Sequence, residues 1–502
     1  MLRRISWVTQ ANLVRGARSV ARGGLILLWA TAATLPPACL AQGGSQQTGA
    51  AQAGAAQTGA AQTSAVEGLI SGGLKTPPPV LSLSDAWRFA MDSDPTLKAA
   101  NAAALAGREQ LPQAQAQLLP NVSMNASRYR NDVRRESLDF LSQTVISNSR
   151  YASKNETLQL RQPLVREVLR TQLRQAGYLV ADSDATLERE VQKLAVRVAG
   201  AYFELMLARD QAQLLASQAE FLQSRLKAAA SAISSGAGTR TDLDDAQARL
   251  DLNRAQRLEA AQAIGTKRRQ LQALVGRPVG ELAMLDPKRF SLEAPQPASV
   301  EEWVQISFEA SPEVLSARAR LDAARENVKQ AQAGHYPTLD AVAQWQRSQN
   351  EIVNQPQTGY TNTSAGIVFN LPIYAGGYVE STVREARAQE LRQREVLEAT
   401  QLDLGVRVQT EFNGVTEGVA RVKALEVAAR SAEVALESAR KSQFAGVRTT
   451  LDVLNAEQSR VQTLRDLAQA RYELLLSRIR LQSLGGKVDE RTFAEIGASL
   501  VQ

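Results

Sequence analysis

Apolar residues at Leu187, Val191, Leu194, Val198, Ala201, Leu205, Ala208, Ala212, Leu215, Ala219, Leu222, Leu226, Ala229 and Ile233 follow one another at intervals of four and three without a break. That spacing keeps one narrow stripe facing a partner over many turns, which is a coiled-coil seam rather than the broader face of a globular helix. The same spacing returns at Val408, Phe412, Val415, Val419, Val422, Leu425, Ala429, Ala432, Leu436 and Ala439. Many seam positions are Ala, so the helices can approach closely. A helix from about Arg166 to Ser235 would be roughly 105 Å long at 1.5 Å per residue. No compact domain needs such a helix.

The two seams belong to two copies of one unit. The stretch around DPTLKAANAAALAGREQLPQAQAQLLPNV reappears as SPEVLSARARLDAARENVKQAQAGHYPTL, with Pro95 matching Pro312 and Pro120 matching Pro337 at an offset of 217. Pro163 matches Pro372 at 209, and Arg240 matches Arg448 at 208. An internal duplication decides the architecture before any single element does. Each half reads helix, strand, loop, strand, long helix, tip, long helix. The expected strands are about 121–130 and 155–162 in the first half, and 338–347 and 361–371 in the second. Pro120 and Pro337 stand at the helix-to-strand junctions, and Pro163 and Pro372 at the strand-to-helix junctions. A proline pushes the residue before it toward extended geometry, which suits such a switch.

Between the long helices of each half lies a short tip. In the second half it falls in QFAGVRTTLDVLNAEQ, residues 443–458. Gly446 supplies the backbone freedom for a reversal. Thr449 or Thr450 can cap the returning helix, and Asp452 suits its first turn. The first tip reads GTRTDLDD from Gly238 to Asp245.

The expected organisation is an export signal over 1–41, a flexible low-complexity linker over 42–80, the first repeat over 81–275, a proline-rich connector over 276–300, the second repeat over 301–486 and a tail over 487–502. Five arginines, an apolar run from Leu25 and a small-residue exit at Ala41 make the secretory pattern. Cys39 offers a rival reading as a lipidated N-terminus. The linker repeats Gly-Ala-Ala-Gln and cannot bury a core. The +7 charge of the chain is concentrated in that signal, since its five arginines face no acidic residue. No basic patch interleaved with aromatics remains, so a nucleic-acid partner is not expected.

The chemical inventory excludes most catalysis. With one His (His335) and one Cys (Cys39), one chain cannot assemble a metal cluster, a Cys/His pair or a Ser-His-Asp triad. His335 reads as a structural or solvent-facing residue, and Trp87, Trp303 and Trp345 as packing or membrane-interface residues. No enzyme activity and no cofactor are expected, and no GxxxxGK[ST] phosphate loop suggests an ATPase.

The strands leave room for a membrane protein. A closed barrel can cross a bilayer, but the smallest have about 8 strands. Four strands per chain do not close. Two chains would give about 8 and three about 12, the latter wide enough for a water-filled pore.

Taken together, the duplicated halves, the DP and LLP/HYP segments, the junction prolines and the tips GTRTDLDDAQARLD and GVRTTLDVLNAEQ resemble the TolC family of outer-membrane channels, over about Leu81 to Gly486. The resemblance is greatest to members that serve type I protein secretion; drug-efflux members share the architecture. It implies a homotrimer with a 12-stranded β-barrel in outer-membrane lipid, continued by an α-helical coiled-coil tunnel across the periplasm. The fold class is then mainly α with membrane β. The implied partners are a periplasmic adaptor and an inner-membrane transporter, of ABC type for secretion or proton-driven for efflux. Docking of these would open a tunnel end otherwise closed by coiling of its inner helices.

The family also implies site residues. Arg448 would bond across the protomer boundary to Thr241 and Asp242, locking the closed tip. A tyrosine of the family's lock is replaced in this region by Gln443 and Phe444. Asp452 matches the first of two acidic rings at the entrance, and Asn455 the second, so one ring is expected. Three converging carboxylates would repel one another, raise their pKa values and attract cations. The rival readings are a multidrug efflux duct and a soluble periplasmic coiled-coil scaffold.

Overall fold

The computed structural model describes residues 80–236, 238–286, 289–350, 358–498 and 500–501. The expected signal and nearly all of the linker lie outside the described residues. In chain order the elements are α1 (Leu83–Ser93), α2 (Pro95–Arg108), α3 (Gln110–Ala116), β1 (Asn121–Leu138), β2 (Thr144–Val165), α4 (Glu167–Ser234), α5 (Arg240–Val275) and β3 (Met284–Leu285). The second half follows with α6 (Val300–Ala310), α7 (Pro312–Gln332), β4 (Thr338–Gln349), β5 (Gly359–Asn370), α8 (Tyr378–Phe444), α9 (Thr450–Leu484), α10 (Glu490–Gly497) and β6 (Leu500–Val501).

Local chemistry sets the helix starts. Asp94 caps α2, its carboxylate accepting from the Leu97 N–H, and Pro95 takes the first helical position, where no N–H is needed. Pro312 likewise takes the first position of α7, after an N-cap residue, Ser311, that makes no side-chain cap bond. The matched prolines of the repeat are thus helix starters. Burial would push the Asp94 carboxyl up. Bonds from Thr96 and from the Arg197 guanidinium at 2.7 Å outweigh it and hold the group below the usual carboxylate range.

At 68 residues α4 spans about 100 Å. It pairs with α5, and α8 with α9, as two long hairpins, and α4 also packs along α9. Most seam residues are buried or half-buried along these contacts. Between Leu194 and Ala208 the buried set widens to include Ala195, Ala199, Tyr202, Phe203 and Met206. There α4 is flanked by α1 and α9, so a two-position seam no longer suffices.

The connector and the C-terminal segment close a belt around this region. Leu282 bridges to Leu81, β3 pairs with β6, and Val279, Leu282, Ala283 and Phe290 are buried. Phe493 of α10 is 0% exposed and stacks on Trp87 of α1, with centroids 4.9 Å apart. Phe493→Ala is expected to cost about 3–5 kcal/mol locally. Limited proteolysis should then release the C-terminal segment early; wild-type resistance would contradict this packing.

The four long strands form one antiparallel sheet in the order β1-β2-β4-β5. The β2–β4 pairing joins the two halves, and β1 and β5 are its edges. The register aligns side chains in rows. On one face the rows run Gln162, Ala341, Ile367; then Val122, Leu160, Ala343, Ala365; then Met124, Leu158, Trp345, Thr363. On the other face lie Ser123, Asn125, Gln159, Thr157, Gln344, Gln346, Ser364 and Asn362. One face is apolar and the other polar.

The strands run further than the sequence pattern indicates, most of all β1 and β2. Residues 129–138 and 144–153 pair only with each other, as a two-stranded hairpin beyond the end of β4. Pro120 and Pro337 immediately precede β1 and β4. Pro163 lies near the end of β2, opposite Asp340, where the register shifts before the last pair, Val165 with Leu339. Missing its N–H, it interrupts the ladder there. Pro372 follows β5 and precedes α8.

Candidate functional site

Both hairpin tips reverse through a glycine with positive φ, Gly236 at 71° and Gly446 at 74°. At the second tip Thr449 is the N-cap. Its hydroxyl accepts from the Asp452 N–H at 3.2 Å, while the Asp452 carboxylate accepts from the Thr449 N–H at 2.9 Å. This reciprocal box satisfies two orphan donors of α9. Those bonds, the backbone one foremost and with Arg448 nearby, hold the Asp452 carboxyl below its ordinary range. Within one chain this is the reverse of the upward shift expected from ring repulsion.

The first tip caps two residues out of step with the sequence repeat. Thr239, not Thr241, is the N-cap of α5 and accepts from the Asp242 N–H at 3.2 Å. The segment contains Thr-x-x-Asp twice, at Thr239/Asp242 and Thr241/Asp244, and the chain uses the earlier one. Thr241 is therefore an exposed first-turn residue, and Asp242 Oδ2 accepts from the Thr239 hydroxyl at 2.6 Å. Asp244 pairs with Arg240 at 3.4 Å.

The expected lock residues are not brought together within one chain. Arg448 donates its backbone N–H to Ser442 at 3.3 Å. Its guanidinium makes no hydrogen bond or ion pair among the described residues. Gln443 is engaged instead: its Oε1 accepts from Arg225 of α4 at 2.9 Å, and its Nε2 donates to the Thr450 hydroxyl of α9 at 3.0 Å. Phe444 is 97% exposed and Val447 79%.

Above the tip a ladder of polar contacts joins the two hairpins. Arg249 of α5 donates to Asn455 of α9 at 2.8 Å. Gln218 of α4 donates to Gln458 at 3.0 Å, and Asn253 donates to Gln218 at 3.0 Å. Phe221 lies between the guanidiniums of Arg225 and Arg440, at 5.2 and 5.1 Å. Burial, and then Arg440, pull the Arg225 pKa down. Higher still, Tyr472 donates to Asp210 at 2.6 Å, and burial raises both pKa values. Arg225, Arg249, Gln218 and Gln458 carry this ladder, and none stands out in the sequence. The available signal was polar side chains inside an otherwise Ala- and Leu-rich coiled coil.

Among the described residues no group of three or more His, Cys, Asp or Glu could hold a metal, and no helix is long and apolar enough to cross a membrane. What the geometry does define is a pair of cross-linked tips on two long helical hairpins, with a sheet of one apolar face at the other end of the long helices.

The chain belongs to the outer membrane efflux protein family, the TolC-type channels. The family model matches it twice, over residues 88–277 and 303–487. It is 31% identical over 427 residues to the alkaline protease secretion protein AprF of Pseudomonas aeruginosa, covering 84% of this chain and 88% of that protein. It is 27% identical over 422 residues to the proteases secretion protein PrtF of Dickeya chrysanthemi, covering 83% and 91%. Its fold is shared with the outer membrane protein VceC of Vibrio cholerae, at a TM-score of 0.67 and 20% identity over 81% of this chain and 96% of that one. The protein is an outer-membrane channel component extending into the periplasm, and the soluble-scaffold reading falls away.

Proposed function

We propose that this chain forms a homotrimeric exit duct for a protein substrate, in a type I export system with an ABC-type inner-membrane transporter and a periplasmic adaptor. The observation that carries the reading is the sheet. One face is apolar, the other polar, and among the described residues both edges lack a partner strand. Three copies joined edge to edge would give about 12 strands and leave no backbone polar group unpaired in lipid. Leu402, Val406, Val427 and Val434, exposed along α8 in a single chain, would be covered by neighbouring copies. The duct is passive and has no enzymatic role.

The protein cargo follows the likeness to AprF and PrtF. Deleting the gene should remove one secreted protein from the medium and leave drug tolerance unchanged. Drug sensitivity with an unchanged set of secreted proteins would establish the efflux alternative.

At the tips, the unpartnered Arg448 guanidinium would reach a neighbouring protomer's Thr241 and the Asp242 oxygen not spent on Thr239. Such charge-assisted bonds hold a closed arrangement yet can be displaced by a docking partner. The exposed Phe444 and Val447 would be covered by the adaptor. Gln443 replaces a family tyrosine with a link inside the protomer.

Asp452 would form a single acidic ring, since Asn455 is neutral and already bonded to Arg249. Multivalent cations added from the periplasmic side should block current. Within one chain the cap bonds hold the Asp452 carboxyl below its ordinary range, so block should be full at neutral pH and be lost as acid protonates the carboxylates; repulsion within the ring moves that loss to higher pH. Equal block of Asp452→Ala would move the ring elsewhere.

A further inference from the structure

On the apolar face of the sheet, the rows change abruptly toward the β1–β2 hairpin. Above Met124, Leu158 and Trp345 comes the row Ala126, Glu156, Arg347, Thr361. Next comes Arg128 directly opposite Lys154, and then Arg130 opposite Ala152. All three cations are exposed. Like charges placed directly across an antiparallel pair repel and gain nothing from one another.

Two carboxylates flank these rows, each in a row with an arginine of its own. Glu156 stands directly opposite Arg347, and Asp132 accepts from Arg150 at 2.9 Å. Among the described residues, no carboxylate lies within ion-pair distance of Arg128, Arg130 or Lys154. The patch is therefore a surplus of positive charge, two and three rows beyond the last apolar row and on the same face.

We infer that Arg128, Arg130 and Lys154 form a docking patch for phosphorylated headgroups of outer-leaflet lipid. The inference rests on the barrel reading, which turns the apolar face toward acyl chains. The hairpin then points away from the helices and out of the cell, and the cations sit where acyl chains give way to headgroups. From Leu339 to Gln349, which pairs with Lys154, β4 rises about 34 Å along the strand. At a barrel tilt of roughly 40° that is about 25 Å along the membrane normal, the height of the apolar band of known barrels, so the cationic rows meet the headgroup layer. Arginine forks suit phosphate oxygens, and lysine adds a point charge. Lipid phosphates would also relieve the Arg128–Lys154 repulsion.

The test uses full-length protein purified in detergent and titrated with bisphosphorylated lipid A, with native mass spectrometry counting the bound lipid. The expected result is saturable binding that weakens about a hundredfold in R128Q/R130Q/K154Q, at about tenfold or less per cation. Dephosphorylated lipid A should bind wild type and variant alike. Equal binding of bisphosphorylated lipid by the two proteins would overturn the inference, as would equal competition by inorganic phosphate at the same concentration. Because a triple variant can lose folding, K154Q alone is measured too, and its affinity should fall between the others; an unchanged affinity counts against the patch. Planar-bilayer conductance separates the two levels. Normal pores with no phosphate-dependent lipid binding sink only this inference. No pores from well-folded wild type sink the barrel reading itself.

Discussion

Alanine at both Gln443 and Arg448 is expected to raise single-channel conductance severalfold, well beyond the two single substitutions combined. The second tip is held from two sides. Within the chain, Gln443 ties α8 to Arg225 of α4 and to Thr450 of α9, at 2.9 and 3.0 Å. Across the proposed protomer boundary, Arg448 would reach Thr241 and Asp242. Hydrogen bonds with a charged partner are worth about 1.5–3 kcal/mol each. Removing either one leaves the other to hold the tip, so a mostly closed population stays mostly closed. Removing both takes away several kcal/mol, enough to reverse a two-state balance. Planar-bilayer recordings of wild type, the single variants and the double variant provide the test, and strictly additive, small increments would contradict it. Arg448→Ala probes the lock more cleanly than Asp242→Ala. Asp242 also bonds Thr239, so its loss weakens the start of α5 as well.

The long helices and their duplication were legible because a heptad seam is a local signal repeated many times. Thr449 and Asp452 were legible as a cap because the box closes within four residues. The outer half of β1 was not. Residues 131–138, NDVRRESL, show no alternation, since beyond the apolar rows neither face of the hairpin meets a core or lipid. The first tip misled for a different reason. Matching Arg240 to Arg448 aligned the sequences, but two overlapping Thr-x-x-Asp boxes competed there and the earlier one caps the helix. The Arg225–Gln443 and Arg249–Asn455 links join residues 218 and 206 positions apart. No short-range pattern can announce contacts made only when two hairpins lie side by side. The connector's proline spacing marked it as irregular, yet only the packed structure reveals Val279, Leu282 and Phe290 as core.

Asp340→Ala is expected to be the most damaging substitution at the junction between sheet and helices. Its side chain is 4% exposed and lies opposite Pro163, where the β2–β4 register shifts. It accepts from Arg161 Nη2 at 2.6 Å and from Arg166 Nη2 at 3.1 Å. Arg166 is the N-cap residue of α4 and has no side-chain cap bond of its own. One carboxylate therefore joins the last rows of the sheet to the start of a helix about 100 Å long. Without it two guanidiniums face each other with nothing between them. Breaking a buried pair from one side costs about 3–5 kcal/mol; because Arg161 is half exposed and can rehydrate, the lower end, about 3 kcal/mol, applies here. The yield of protease-resistant, membrane-inserted protein should fall sharply, and its melting temperature with it. Asp340→Asn keeps one acceptor oxygen and should lie between Ala and wild type. Arg161→Gln should be milder than either, because Arg166 still pairs with the carboxylate. Replacing both sides with apolar groups, Asp340→Leu with Arg166→Met, should recover part of the loss, since well-packed apolar substitutes for a buried pair are often close to neutral. Wild-type yield and melting for Asp340→Ala would show that the junction is held by the backbone ladder and not by this carboxylate.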